Sequence, residues 1–223
     1  MKKIARLLLA STFLSGAFAL TSLAEKAAAS AAISPATALA RLTEGNKRFV
    51  AGTPNRTGPS AQQWAELTKA QHPYAIILTC ADSRLSPEII FDQGLGDLFV
   101  VRNAGNLLDD HVLGSIEYAV EHLHAKLIIV LGHTKCGAVT AAVAGGEAPG
   151  HIKSIVESLS GAVSMAKRKP GDPVDNAIRI ATKLTAAALA QAEPILSEAV
   201  KSGEVKVVAG RYDIATGQVE ILP

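Results

Sequence analysis

The sequence predicts an α/β fold, with a central, mostly parallel β-sheet of four to five strands flanked by helices and with an N-terminal helical arm. Three apolar runs of strand length lie at 74–79, 98–102 and 126–131. Two weaker runs, at 205–209 and 218–222, are expected to form the last strands around a turn. Because segments with a helical pattern separate the three main runs, we expect parallel strands joined by right-handed crossovers.

The helical arm is predicted at 35–51, where apolar residues recur at roughly helical spacing before Gly52. The stretch 52–60 contains two prolines and two glycines, which prevent regular structure there. Pro194 should kink or restart the last helix because proline lacks a backbone N–H group. The remaining helices are expected at 61–70, 110–123, 134–144, 151–168 and 174–202.

Composition limits the classes of function. The chain has 223 residues, 48% of them apolar, which is enough material for one hydrophobic core. Its formal net charge is +2, and no run of lysine and arginine is long enough to follow a phosphate backbone. The charge pattern of a nucleic-acid-binding protein is therefore missing from the sequence. A small, roughly neutral substrate is compatible with this balance.

The first residues resemble a secretory signal peptide. A basic segment at 2–6 precedes a mainly apolar stretch at 7–20, and small residues follow up to Ala24. The alternative is a buried or membrane-anchoring helix, but the apolar stretch is short for a bilayer span of about 20 residues. We therefore predict a signal peptide at 1–24, cleaved after Ala24.

The rest of the chain is predicted to comprise a spacer at 25–34 and a single domain at 35–223. An exported protein would reside in the periplasm or be secreted, and no stable membrane span would remain after cleavage. Export also makes the two cysteines of the chain informative, because an oxidising compartment favours a disulfide between free thiols. Binding to a metal would protect both of them as thiolates.

Residues of metal-ligating types follow two of the predicted strands. Cys80 comes directly after the first apolar run, and His133 and Cys136 follow the third. The carboxyl ends of parallel strands are where ligands bind in open sheets. Two thiolates and an imidazole are a common zinc-binding set, and they leave the fourth tetrahedral position for water or substrate. Ligand types alone leave open a buried free cysteine or a disulfide between Cys80 and Cys136.

Asp82 and Arg84 lie two residues apart, immediately after Cys80. In an extended turn their side chains project to the same side, where a guanidinium can hold a carboxylate through two parallel hydrogen bonds. Such a pair would keep Asp82 ionised and available as an acceptor for a metal-bound water. An ordinary surface salt bridge is the alternative, but it contributes only about 0–1 kcal/mol to stability.

These segments resemble the β-class carbonic anhydrases. The resemblance lies in CADSR (80–84), DLFVVRNAGN (97–106) and GHTKCG (132–137), which occur in the order and spacing of that family. It extends from EGNKRF (44–49) to RYD (211–213), which is almost the whole predicted mature chain.

The resemblance implies one Zn²⁺ per chain, held by Cys80, His133 and Cys136. It implies that Asp82 and Arg84 form a dyad that orients a zinc-bound hydroxide for attack on carbon dioxide. The implied reaction is the reversible hydration of carbon dioxide to bicarbonate and a proton, catalysed by a zinc lyase.

The resemblance also implies a substrate pocket formed by Gln71, Phe99 and Tyr118. Taken alone, Gln71 could cap a turn, Phe99 could belong to the core and Tyr118 could pack a helix. The implied assembly is a homodimer or a dimer of dimers, in which the 35–51 arm wraps a neighbour and Gln71 reaches across the interface. One departure is Ile77, which stands where a bicarbonate-regulated branch of the family has tryptophan, and it predicts that Asp82 stays off the metal at neutral pH.

Three other functions remain open at this point. Close relatives of the family hydrolyse carbonyl sulfide or carbon disulfide at the same kind of zinc site. A zinc-stabilised interaction or storage protein without turnover would have no need for Asp82 and Arg84 beside an incomplete ligand set. A secreted binding domain with a disulfide would require Cys80 to pair with Cys136.

Overall fold

A computed structural model describes residues 33–56 and 58–223. The predicted signal peptide at 1–24 and most of the predicted spacer lie outside the described residues. Five strands form one sheet in the order β2-β1-β3-β4-β5. The strands are β1 Ala75–Cys80, β2 Leu98–Asn103, β3 Leu127–His133, β4 Lys206–Tyr212 and β5 Val219–Leu222.

Helices flank this sheet, as the sequence predicts. They are α1 Pro35–Val50, α2 Ala61–Leu67, α3 Pro87–Ile90, α4 Asp110–Glu121, α5 Gly137–Ala144, α6 Ile152–Ala166, α7 Pro173–Ala190 and α8 Ile195–Lys201. Within the described ranges, no helix combines the length and the apolar character that a bilayer crossing requires. The region predicted as one helix at 174–202 is divided into α7 and α8, and the second helix starts after Pro194.

The sheet is parallel except at one edge. Strand β1 pairs in parallel with both β2 and β3, β3 pairs in parallel with β4, and only β4 and β5 are antiparallel. Every residue of β1 and β3 is buried, because helices cover both faces of the central strands. This explains why both strands are continuous apolar runs in the sequence. The prediction of a mostly parallel sheet with four to five strands is confirmed.

The central strands extend past the carboxyl ends of their apolar runs. Strand β1 includes Cys80 and β3 continues to His133, which pairs with Tyr212 of β4. The apolar pattern ends earlier because the last strand residues are of metal-ligating types, while their backbones still pair with neighbours. Cys80 and His133 are therefore part of the sheet rather than of the loops that follow it.

The predicted arm is helix α1, and it docks on its own chain. Gly45 lies so close to α3 that a Cβ atom built on it would be 1.8 Å from the carbonyl oxygen of Phe91. The next residue, Asn46, donates from Nδ2 to the carbonyl oxygens of Ile90 (3.1 Å) and Gly217 (2.9 Å). Its Oδ1 accepts from the backbone N–H of Val219 at 2.9 Å. The arm is thus fastened both to α3 and to the turn before β5.

We expect Gly45→Ala to lower the free energy of unfolding by about 2 kcal/mol, because the backbone of Phe91 leaves no space for a methyl group. The matched control is Gly161→Ala in α6, where no heavy atom lies within 4 Å of the added Cβ. Removing a helical glycine at such an open position should stabilise the protein by about 0.5–1 kcal/mol. Urea denaturation of both variants measures the difference, and equal stabilities would contradict this close packing.

Candidate metal centre

Two strand ends and the start of a helix bring three metal-ligating side chains together. Cys80 ends β1, His133 ends β3, and Cys136 immediately precedes α5. Their ligand atoms all lie within 4.8 Å of one another, and all three residues are buried. In the described part of the chain, no other group of three histidine, cysteine or acidic residues meets this criterion. The sequence prediction that these residues converge is confirmed.

The imidazole of His133 is oriented by the residue that follows it at the end of β3. Its Nδ1 lies 2.9 Å from the carbonyl oxygen of Thr134, which can only accept a hydrogen bond. Nδ1 therefore has the proton, and Nε2 has a free electron pair. Nε2 is buried and has no hydrogen-bond partner in the structure. A buried acceptor without a partner costs about 1–3 kcal/mol, and a metal ion in contact with Nε2 would satisfy it.

The two thiols are free, and their sulfur atoms lie within 4.8 Å of each other. The pKa of Cys80 is lowered to about 4, chiefly because the Cys136 thiol donates a hydrogen bond to its sulfur. The backbone N–H of Gly105 also donates to this sulfur, at 3.5 Å. The same interaction with Cys80, together with burial, raises the pKa of Cys136. Both cysteines are free, so the disulfide alternative is not the arrangement found.

Asp82 and Arg84 form the bidentate pair that their spacing suggests. Arg84 Nε donates to Asp82 Oδ1 at 2.8 Å, and Arg84 Nη2 donates to Oδ2 at 2.6 Å. The backbone N–H of Arg84 adds a third hydrogen bond to Oδ1, at 3.0 Å. These contacts with Arg84 hold the pKa of Asp82 well below its usual range. Arg84 Nη2 also donates to the carbonyl oxygen of Lys135, which lies between His133 and Cys136 in the sequence, at 3.3 Å.

Sequence reasoning gave no role to Arg102, although the residue lies within a segment that resembles the family. Arg102 Nε donates to the carbonyl oxygen of Cys80 at 3.1 Å, and its Nη2 donates to that of Asp82 at 2.8 Å. It therefore joins the end of β1 to the loop with the acidic residue. The only sequence signal for this contact was an arginine near the end of the apolar run that forms β2. Its role depends on the parallel pairing of β2 with β1, which places Arg102 beside the end of β1.

The predicted pocket residues lie near one another but are not grouped with the metal-ligating residues. Gln71 and Tyr118 line a cavity of about 740 Å³, and the rings of Phe99 and Tyr118 are 6.4 Å apart. The residues that line this cavity do not include the three metal-ligating residues. Phe99 pairs with Ile76, four residues before Cys80, which corresponds to about 13 Å along the strand.

Comparisons with known proteins agree with this geometry. The family model described as carbonic anhydrase matches residues 75–219, a range that contains all three metal-ligating residues. Carbonic anhydrase 2 of Mycobacterium tuberculosis is 44% identical over 188 residues, which cover 82% of this chain and 91% of the relative. The carbonic anhydrase of Mycolicibacterium smegmatis is 41% identical over 191 residues, which cover 84% of this chain and 93% of the relative.

A solved structure from the same family has a similar fold. One of two tetrameric β-carbonic anhydrases from Sordaria macrospora superposes with a TM-score of 0.64 at 27% identity, covering 71% of this chain and 85% of that one. Sequence and fold thus identify the same family. The chain belongs to the β-class carbonic anhydrase family.

Proposed function

We propose that the protein catalyses the zinc-dependent, reversible hydration of carbon dioxide to bicarbonate and a proton. The observation that carries this proposal is the buried group of Cys80, His133 and Cys136, in which Nε2 of the histidine has no partner. Three donors of these types suit a tetrahedral zinc ion and leave its fourth position open, as in catalytic sites. Membership of the carbonic anhydrase family supports the same reaction.

The donor set fits one Zn²⁺ per chain. Cys80 and Cys136 would bind as thiolates and His133 as a neutral imidazole, so two negative charges would balance the charge of the ion. Zinc, when bound, supplies a Lewis acid that makes water acidic enough to yield hydroxide near neutral pH. The surrounding residues then have to orient the water and receive its hydrogen bond.

Asp82 is suited to that task. Its Oδ1 already accepts two hydrogen bonds from Arg84, whereas Oδ2 accepts one. A carboxylate oxygen has about two acceptor positions, so Oδ2 retains one. We assign Oδ2 as the acceptor for the attacking water and Arg84 as the group that keeps the carboxylate ionised and correctly oriented. Because Arg84 is hydrogen-bonded to both carboxylate oxygens, and because Ile77 stands where the bicarbonate-regulated branch has tryptophan, Asp82 stays off the metal at neutral pH in this proposal.

We expect Asp82→Asn to slow hydration at least about 100-fold, because the amide presents a neutral group where a charged acceptor is needed. Stopped-flow measurement of carbon dioxide hydration tests this, with zinc content determined in the same samples. The control is Asp110→Asn, at an exposed position in α4. Zinc content should match the wild type in both variants. A zinc-loaded wild type without hydration activity would refute the function, and a fully active Asp82→Asn variant would refute the role of Asp82.

The separation of pocket and metal centre supports a homo-oligomer, either a dimer or a dimer of dimers. Within one chain, Gln71 and Tyr118 line a cavity that the metal-ligating residues do not reach. Gln71 and Tyr118 can therefore contact a substrate at a metal centre if another copy brings its own metal centre to this cavity. The relative from Sordaria macrospora is tetrameric, which agrees with such an assembly.

A mixing experiment tests this sharing of sites. Asp82→Asn copies keep the pocket intact, and Tyr118→Leu copies keep the dyad intact. If each pocket serves the metal of a neighbour, mixed oligomers contain one fully intact site, and activity should recover above that of either variant alone. Sedimentation velocity of the wild type should show two or four copies. A monomer, or no recovery on mixing, would contradict the assembly.

We also propose that residues 1–24 direct export and are then removed. The support is the basic, apolar and small-residue order of this segment. Expressed in a Gram-negative host, the protein should be recovered from the periplasm with Glu25 as its first residue, as determined by N-terminal sequencing. Leu9→Arg, which places a charge in the apolar stretch, should retain the uncleaved chain in the cytoplasm. Cytoplasmic wild-type protein that begins at Met1 would contradict export.

A further inference from the structure

The turn between β4 and β5 contacts Thr134, which directly follows His133 at the end of β3. We propose that this turn, residues 213–217, positions His133 for the metal by fixing Thr134. Thr134 would then be a positioning residue that acts through the imidazole and does not touch the metal. The inference rests on the proposed zinc site and adds residues that the family motifs leave without a role.

Thr134 is held at three atoms. Its carbonyl oxygen accepts from His133 Nδ1 at 2.9 Å, and its backbone N–H donates to the carbonyl oxygen of Tyr212 at 2.9 Å. Its hydroxyl oxygen, Oγ1, accepts from the backbone N–H of Ile214 at 3.0 Å. The direction of the carbonyl that orients the imidazole therefore depends on two contacts with β4 and the turn that follows it. Lys135 comes next with a φ of 56°, so the chain bends immediately after this anchored residue.

The turn itself is constrained from within. Asp213 Oδ1 accepts from the backbone N–H groups of Ala215 (2.8 Å) and Thr216 (3.2 Å). The carbonyl oxygen of Asp213 accepts from the backbone N–H of Gly217 at 2.8 Å. These bonds close the turn around Ile214, so its N–H group points at Thr134 from a defined position.

The turn is also supported from the opposite side by helix α1. Asn46 is 6% exposed and contacts the carbonyl oxygen of Gly217 and the backbone N–H of Val219. A methyl group on Gly217 would be 3.0 Å from the ring of Phe49, which shows how closely the arm packs here. A continuous set of contacts thus leads from the arm through the turn to Thr134 and His133.

Loss of the Thr134 hydroxyl should weaken metal binding. The hydrogen bond on Nδ1 sets the tautomer and the ring orientation of a ligating histidine, and losing such outer contacts typically costs 10–100-fold in metal affinity. Thr134→Val preserves the shape of the side chain but removes the acceptor of the Ile214 N–H group. The hydrogen bond between Ile214 and Thr134 acts on the metal only through Thr134 and His133. We therefore expect a loss of metal affinity at the lower end of that range.

The test compares zinc affinity in the full chain by competition with a chromogenic chelator. Thr134→Val should bind zinc about tenfold more weakly than the wild type. Thr134→Ser, which retains the hydroxyl, should recover most of the loss. Thr43→Val is the control, because the Thr43 hydroxyl is exposed on α1 and donates only to the carbonyl oxygen of Leu39. Absorption of the Co²⁺-substituted proteins should shift only in Thr134→Val, since that spectrum reports the ligand geometry.

Each result bears on the inference separately from the proposed function. Tight zinc binding by the wild type with unchanged affinity in Thr134→Val would overturn the inference and leave the zinc site in place. An equal loss in Thr134→Ser would also overturn it. If Thr134→Val does not fold, Asp213→Ala opens the same turn, and wild-type zinc affinity in that variant would overturn the inference. A wild type that binds no zinc would overturn the proposed site and the inference together.

Discussion

The parallel pairing of β1 with β3 is the interaction on which the candidate metal centre depends. Thr79 pairs with Leu131, and its hydroxyl donates to the Leu131 carbonyl oxygen at 2.8 Å inside the core. This register places Cys80 and His133 at the same edge of the sheet. A displacement of either strand along the other would separate the two ligands by about 3.3 Å per residue. Because both strands are buried on both faces, their apolar side chains hold the register in place.

At this edge of the sheet, two arginine side chains hold the polar groups in addition to the pairing of the central strands. Arg102 binds the carbonyl oxygens of Cys80 and Asp82, and Arg84 binds the carboxylate of Asp82 and the carbonyl oxygen of Lys135. The Arg84 guanidinium bridges the loops after β1 and β3, whereas Arg102 joins the end of β1 to the loop that follows it. Preorganised groups of this kind need not reorganise during a reaction, which is how they favour the transition state.

The arm and the final turn extend this support to the histidine side of the site. Helix α1 contacts the turn before β5 through Asn46, and the turn contacts Thr134 through Ile214. These elements are distant from Cys80 in the sequence and have no side chain of a metal-ligating type in the cluster. Their function in this arrangement is mechanical, because a ligand must be held in one orientation to bind a small ion with defined geometry.

The sequence alone determined the fold class and the three converging side chains. Burial on both faces makes β1 and β3 apolar runs, and short motifs place Cys80, His133 and Cys136 at their ends. Only the tertiary structure decided that Nε2 of the histidine is free, that Arg102 joins the end of β1 to the loop with Asp82, and that the cavity beside Tyr118 lies apart from the metal-ligating residues. Periodicity and motifs describe neighbours along the chain. Hydrogen bonds between distant segments exist only after the strands have paired.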